Sequence, residues 1–346
     1  MALTFGIFDH MDSSGAPLQA FYEDRLRLIE AYDRYGFDVY QVAEHHSTPL
    51  GMAASPGIFL SSVVQRTKRL RFGPMVYTLP LYHPLRLMEE ICMLDQLSGG
   101  RLEVGIGKGI SPIETGFFGI DPANNNEMFG EALDVILQGL SGKPITLDGK
   151  FYQFNNVPHQ LTPFQKPYPP LWYGVVLPDS AERAAKQGLN VLTNTATASV
   201  RAVSDRYWEH YKARAGMTAS PKFGMNRFIV IAEDERAAWD IARRAYRRWH
   251  DSFMYLWRTY GIDPTTVSYP PEIDGQAADG RAIIGTPQFV LESLHAQIEE
   301  AGVNHIGCRF AFGDLTLAES LRSVELFAEH VMPKLSANDR AAAEQV

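Results

Sequence analysis

RFGPMVYTLPLYHPLRLMEEICMLDQLSGGRLEVGIGKG, residues 71–109, contains one complete strand–helix–strand unit. Arg71–Tyr77 and Leu102–Ile106 are short apolar runs, the pattern of strands buried on both faces. Residues 84–97 between them carry the longer amphipathic pattern of a helix. The same alternation continues in both directions. Strand patterns also fall at Leu3–Phe8, Asp38–Ala43, Leu171–Val176, Asn190–Thr193, Phe223–Ile231 and His305–Phe312. Helical patterns fall near 19–35, 55–66, 126–140, 179–187, 199–215, 234–259 and 286–301, with a last one over 316–332. Eight strands, each followed by a helix, read as parallel βα units. A doubly wound sheet is the rival architecture, but eight regular units predict an α/β fold closed as a (β/α)8 TIM barrel.

Two insertions break the rhythm. Residues 144–170 hold two short strand runs around Asp148-Gly149, a hairpin signal, and then a Pro-rich lead into the fifth strand. Residues 260–284 are rich in Pro, Gly and Asp and lack periodicity, which predicts a mobile loop or lid. The expectation is one domain over 1–335 and a frayed tail at 336–346.

Of the 346 residues, 45% are hydrophobic and 21% charged, the profile of a globular chain with a large core. No apolar run approaches the ~20 residues of a membrane span. The opening MALTFGIFDH lacks a basic flank, so no signal peptide is expected. The two cysteines, Cys92 and Cys308, have no metal-ligand spacing, and a cytoplasmic location is the expectation. A net charge of −8 without a basic run argues against nucleic acid or an anionic membrane as partner.

A barrel of this kind takes its chemistry from the C-terminal strand ends. The second strand ends in Ala43-Glu44-His45-His46. Alternation places His45 on one side and Glu44 and His46 on the other. His45 admits three readings: a proton-transfer group in the cleft, a rim histidine satisfied by packing, or part of a Glu-His-His metal site. The last is disfavoured, because adjacent ligands on a strand diverge, and no metal is expected. Gly105–Gly109 matches neither G-x-G-x-x-G nor a P-loop; with Gly107, Lys108 and Ile110 it offers a backbone turn beside one cation. Pro178-Asp179-Ser180 opens a helix whose N-terminus can take an anion. Phe8, Tyr77, Trp172 and Phe310 are strand aromatics that fill the core or line a substrate pocket.

Several local sequences go further. AEHHSTPLG (43–51), LPLYHPLRLMEEICMLDQLSGGRLEVGIGKG (79–109), FFGID (117–121) and GTPQ (285–288) resemble the bacterial luciferase-like flavin-dependent monooxygenases. GKFYQF (149–154) and QKPYPP (165–170) are similar to the same family. The resemblance implies that His45 is the acid–base residue beside the flavin. It implies that Met75-Val76 is a non-proline cis peptide behind the isoalloxazine, and that Lys108, Ser180 and the amides near Val176 and Leu177 cradle a flavin phosphate. Lys108 stands where luciferase has an arginine, Gly107 where it has a reactive cysteine, and Asn126 where a further arginine lies near the phosphate. Asn226 and Phe228 replace the arginine and histidine of the alkanesulfonate branch, so a sulfonate substrate is not expected.

The implied activity is that of a two-component monooxygenase. Reduced FMN from a separate flavin reductase would add O2 at C4a as a hydroperoxide, which would oxidise a small apolar or aldehyde-like substrate in a homodimer. The alternatives are hydride transfer with the deazaflavin F420, and a non-catalytic flavin-binding partner subunit.

Overall fold

The structure is a computed structural model that describes residues 2–213, 220–264 and 269–336. The elements run β1 (Thr4–Asp9), α1 (Leu18–Tyr35), β2 (Val39–Val42), α2 (Pro56–Arg66), β3 (Arg71–Pro74), β4 (Tyr77–Thr78), α3 (Pro84–Ser98) and β5 (Val104–Gly107). Then come α4 (Pro112–Phe117), α5 (Asn125–Leu140), β6 (Ile145–Asp148), β7 (Gln153–Val157), β8 (Leu171–Val175), α6 (Pro178–Lys186), β9 (Asn190–Thr193) and α7 (Thr197–His210). The remainder are β10 (Phe223–Ile231), α8 (Glu235–Tyr260), α9 (Ile273–Ala278), β11 (Ala282–Gly285), α10 (Pro287–Ala301), β12 (His305–Arg309) and α11 (Leu317–His330).

The parallel sheet runs β3-β2-β1-β12-β10-β9-β8-β5-β4. β3 and β4 are two halves of one barrel strand, interrupted at a cis peptide between Met75 and Val76. A parallel bridge from Phe72 to Leu102 completes the circle. The eight expected barrel strands are therefore present, with the third broken in two. Their residues are buried almost throughout because helices cover the outside and side chains fill the inside.

The hairpin expected in 144–170 forms as β6 and β7, antiparallel. The segment 260–284 differs from its reading as a structureless loop. α9 buries Ile273, and β11, buried at all four residues, pairs with the second half of β10 in parallel. Gln276 donates to the Tyr246 hydroxyl, which donates to the Pro270 carbonyl. Six-residue and four-residue elements are too short to impose a visible period on a Pro- and Gly-rich background. Residues 265–268 lie outside the described residues, as does the expected frayed tail beyond Ser336.

The stretch 94–101 builds the bottom of the barrel, at the N-terminal ends of the strands. Asp95 is fully buried at the end of α3 and accepts from the Gln165 backbone and side-chain N–H groups, both at 2.8 Å. The Arg101 guanidinium donates to the carbonyls of Leu70 and Val64 and to the Thr67 hydroxyl. Arg71 and Lys222 pair with Glu103, and Lys222 also pairs with Asp38.

Candidate active site

The C-terminal strand ends gather a different set of groups. α4 begins at Ser111, whose hydroxyl accepts from the Glu114 N–H at 3.2 Å, with Pro112 in the first turn. This cap turns the Glu114 carboxylate toward the end of β2. There it accepts from the His46 backbone N–H at 2.7 Å and lies 3.1 Å from His45 Nδ1. The His45 and Glu114 side chains are only 14% and 11% exposed, so the pair is poorly screened. Burial alone would lower the His45 pKa, but the Glu114 charge and hydrogen bond outweigh it and leave the imidazole above its ordinary value. Burial likewise pushes Glu114 up, and the His45 charge and hydrogen bond bring it below the ordinary carboxylate value. Both directions describe an imidazolium–carboxylate pair with the Nδ1 proton shared toward Glu114.

Glu44 and His46 form a separate unit. His46 Nε2 lies 2.7 Å from Glu44 Oε1, and Glu44 Oε2 accepts from the Thr78 N–H at 3.0 Å. Glu44 thus braces β4 immediately after the cis peptide. Among the described residues, no group of three or more His, Cys, Asp or Glu is placed to hold a metal ion. No described helix is long and apolar enough to cross a membrane.

The expected flavin-side residues sit on adjoining strand ends. β5 pairs with β8 through Ile106 and Tyr173, which brings Lys108 level with the start of the β8–α6 turn. Lys108 is exposed, and its Nζ donates to Asn126 Oδ1 at 3.0 Å. The Ser180 hydroxyl donates to the Leu177 carbonyl at 2.6 Å at the N-terminus of α6. Ile110, Val176 and Leu177 leave 46%, 43% and 65% of their surface exposed, an apolar rim beside a cation and a helix N-terminus. Gly107 faces the cis peptide closely: a Cβ there would come within 2.4 Å of Val76 Cγ2. Met75 and Phe8 belong to one buried apolar cluster in the barrel, with Val76 packed against it.

Three of the four aromatics expected in a substrate pocket lie elsewhere. The Tyr77 hydroxyl donates to Glu90 on α3, outside the barrel wall. The Trp172 indole donates to Glu103 at the bottom of the barrel and packs on His305. Phe310 packs edge-on against Phe37 and Phe327, between the sheet and the helices. Side-chain alternation turns Tyr77 and Phe310 outward, whereas Trp172 faces the barrel interior with Phe8 but at the opposite end from the mouth. Phe8 alone faces the interior near the mouth, 4.9 Å from the His10 ring.

Sequence reasoning also passed over residues that matter. Glu114 is 69 positions from His45, and only its S-x-x-E cap pattern marks it. His10 lies 5.8 Å from His45 between ring centroids, and its Nδ1 accepts from the Trp249 indole at 3.3 Å. A cleft beside His45 is lined by Thr48, Leu50, Ile110, Phe253, Leu256 and Trp257.

The fold is a parallel (β/α)8 barrel with a buried histidine–carboxylate pair at its mouth. The chain belongs to the luciferase-like monooxygenase family, whose model matches residues 3–305. It is 26% identical to the alkanal monooxygenase alpha chain of the Kryptophanaron alfredi symbiont, covering 90% of this chain and 92% of that one. Among solved structures it resembles a monooxygenase from Streptomyces bottropensis (TM-score 0.86, 26% identity, 96% of this chain and all of the other). It also resembles the oxygenating constituent of 3,6-diketocamphane monooxygenase from Pseudomonas putida, solved with FMN (TM-score 0.81, 20% identity, 96% and 98% covered).

Proposed function

We propose that this enzyme is an FMN-dependent, two-component monooxygenase acting on a small apolar or carbonyl-bearing substrate. The observation that carries the reading is the buried His45–Glu114 pair, set at the same mouth as an apolar rim, a free-standing cation and a helix N-terminus. The donor set suits a flavin mononucleotide. Lys108 offers charge to a phosphate, and the α6 N-terminus offers donors there once Ser180 and Leu177, which bond each other, turn to it. Gly107, where a Cβ would press on the Val76 side chain, keeps the space beside Met75 and Val76 open for the ring, with Ile110 at its edge. The reduced flavin, when bound, supplies the electrons that activate O2.

The chain's own residues then do three things. Glu114 holds the Nδ1 side of His45, so Nε2 is the nitrogen that gives or takes a proton at the reacting oxygen. Glu44 fixes the end of β4 through the Thr78 amide. Phe253, Leu256 and Trp257 keep water from the cleft beside the histidine. The same reading makes residues 1–335 a single unit, pairs in a cytoplasmic homodimer, and takes reduced FMN from a separate reductase.

The test is anaerobic titration with reduced FMN and, in parallel, reduced F420, followed by measured oxygen uptake. Binding of reduced FMN, with oxygen uptake altered in His45→Ala, supports the reading. Binding of F420 alone would move the enzyme to hydride transfer. Binding of FMN with oxygen uptake indifferent to His45 would make it a non-catalytic partner subunit.

A further inference from the structure

The barrel mouth contains a second cation that the function above does not use. Arg309 is the last residue of β12. In the parallel registers Ile7 pairs with Cys308, and Phe228 pairs with Arg309. Side chains at one level of neighbouring strands stand side by side. Phe8, Arg309 and Phe228 therefore form a ladder, with the guanidinium carbon 4.7 Å from the Phe8 ring centroid and 4.6 Å from that of Phe228. Two aromatic faces hold the fork flat and buried, at 3% exposure.

The fork is only partly used. Nη2 donates to Asn194 Oδ1 at 2.7 Å, while Nε and Nη1 are buried with no hydrogen-bond partner. Asn194 Oδ1 also accepts from Asn226 Nδ2 at 2.8 Å, and Asn226 Oδ1 is itself buried and unpartnered. No described carboxylate forms an ion pair with Arg309; Tyr269 acts on it through its charge and a side-chain hydrogen bond, and Tyr246 and Asp12 through their charges. The neighbouring Arg227 shows what a structural arginine does here. It donates through Nε to Gln297, through Nη1 to the Asn226 carbonyl and through Nη2 to Thr197. A buried guanidinium with idle donors is costly unless something else completes it.

Arg309 belongs to the same mouth as the catalytic pair. Phe8 packs on His10, and His10 stacks obliquely against His45. Trp249 bonds His10, packs on Phe228 and stacks with Phe253 of the cleft wall. His10 is held well below the ordinary histidine value by burial, then by the charges of Arg309 and of His45, so it stays neutral between two cations.

We infer that Arg309 anchors an anionic oxygen of the organic substrate, a carboxylate or an enolate, on an otherwise apolar body. The inference rests on the monooxygenase reading for the purpose of the mouth. It adds a substrate class: the idle Nη1, on the edge of the guanidinium it shares with Nη2, offers a charge-assisted N–H to that oxygen. Phe8 and Phe228 leave little room for polar groups beside it. The flavin's own carbonyl oxygens share this acceptor chemistry, and the test separates the two sources.

The test compares benzoate with benzyl alcohol, matched in body and differing in the anionic oxygen, by calorimetry on the protein with and without reduced FMN. Wild type should bind benzoate at least about tenfold more tightly, the lower range for a hydrogen bond to a charged group. Arg309→Met should erase that preference and leave affinity for reduced FMN unchanged, while Arg309→Lys keeps part of it. Equal binding of the two probes by wild type would overturn the inference. So would a preference that survives Arg309→Met, or a loss of reduced-FMN affinity in its place, which would assign the oxygen to the flavin. If Arg309→Met does not fold, the wild-type ratio and the lysine variant decide. Failure of wild type to bind reduced FMN would refute the monooxygenase reading alone, because the comparison in flavin-free protein still judges Arg309.

Discussion

Replacing Glu114 with Gln isolates the charge that holds His45 protonated. The variant keeps an oxygen to accept from the His46 N–H, so the local backbone retains its partner. It removes the carboxylate 3.1 Å from Nδ1. Burial then acts on His45 against only the charge of Glu44, and its pKa should drop from above the ordinary 6.5 to below it. A hydrogen bond to a charged group in a poorly screened site is worth roughly 1.5–3 kcal/mol. The stability consequence has a defined window. A raised histidine contributes stability that is full below 6.5 and is lost as pH rises through its folded value. A lowered carboxylate contributes stability that is full above 4.5 and is lost as pH falls through its folded value. The pair is therefore worth most between 4.5 and 6.5. Glu114→Gln should destabilise the fold most at about pH 5.5 and less at about pH 9, because the histidine's share is lost as pH rises through its folded value. Imidazole titration by NMR reads the shift, and chemical denaturation at the two pH values reads the energy. An unchanged His45 titration, or an equal loss of stability at both pH values, would refute the ion-pair account.

Lys108→Met should weaken reduced-FMN binding about tenfold or more, as loss of a charge-assisted phosphate contact does. Asn126→Asp, which gives the same amine a carboxylate partner, should weaken it in the same direction; calorimetry checks both. Gly107→Val places side-chain atoms where a Cβ alone meets Val76 at 2.4 Å, so a loss of about 1–3 kcal/mol should appear in thermal unfolding. Asp12 is fully buried, and its pKa is raised to about 7, mainly by burial and against the Arg25 charge and the Gly313 amide. Its raised pKa makes the fold lose stability as pH climbs from 3.8 toward 7; Asp12→Asn should flatten that decline in a pH series of urea melts. Tyr77→Phe should lower the melting temperature while leaving KM unchanged, because its hydroxyl serves Glu90 and not the mouth.

The barrel was legible because its strands are buried on both sides, which turns each one into an uninterrupted apolar run. Phe223–Ile231, buried at all nine positions, is the extreme case. The site was legible only where chemistry and position coincide on one strand end, as at His45. Glu114 was not, since its role depends on α4, six residues long, being folded back across 69 positions. Inward and outward aromatics cannot be told apart inside a fully apolar run, which is why Tyr77 and Phe310 were grouped with Phe8; Trp172 does face inward, but its depth in the barrel is not written in the run. Arg309 had a signal: a charge in the middle of GCRFAF, a run otherwise suited to burial, has to be either paired or used.

The two ends of the barrel treat their cations differently. At the bottom, Arg71 and Lys222 meet Glu103 and Asp38 directly. Burial pushes Glu103 up, but the Lys222 and Arg71 charges dominate and bring it down to about 2, so those charges cancel within the protein. At the mouth, Lys108 is held by the amide of Asn126 and Arg309 by that of Asn194. An amide oxygen aims a cation without neutralising it. The mouth therefore keeps two uncancelled positive charges in a chain whose net charge is −8. Such a field draws anions inward and repels them from the remaining surface. One of these cations stands on the exposed rim, where a phosphate can reach it, and the other is buried, with His10 between it and His45. A ligand pair with its anionic groups at those two depths would satisfy both, as the proposed cofactor phosphate and substrate oxygen do.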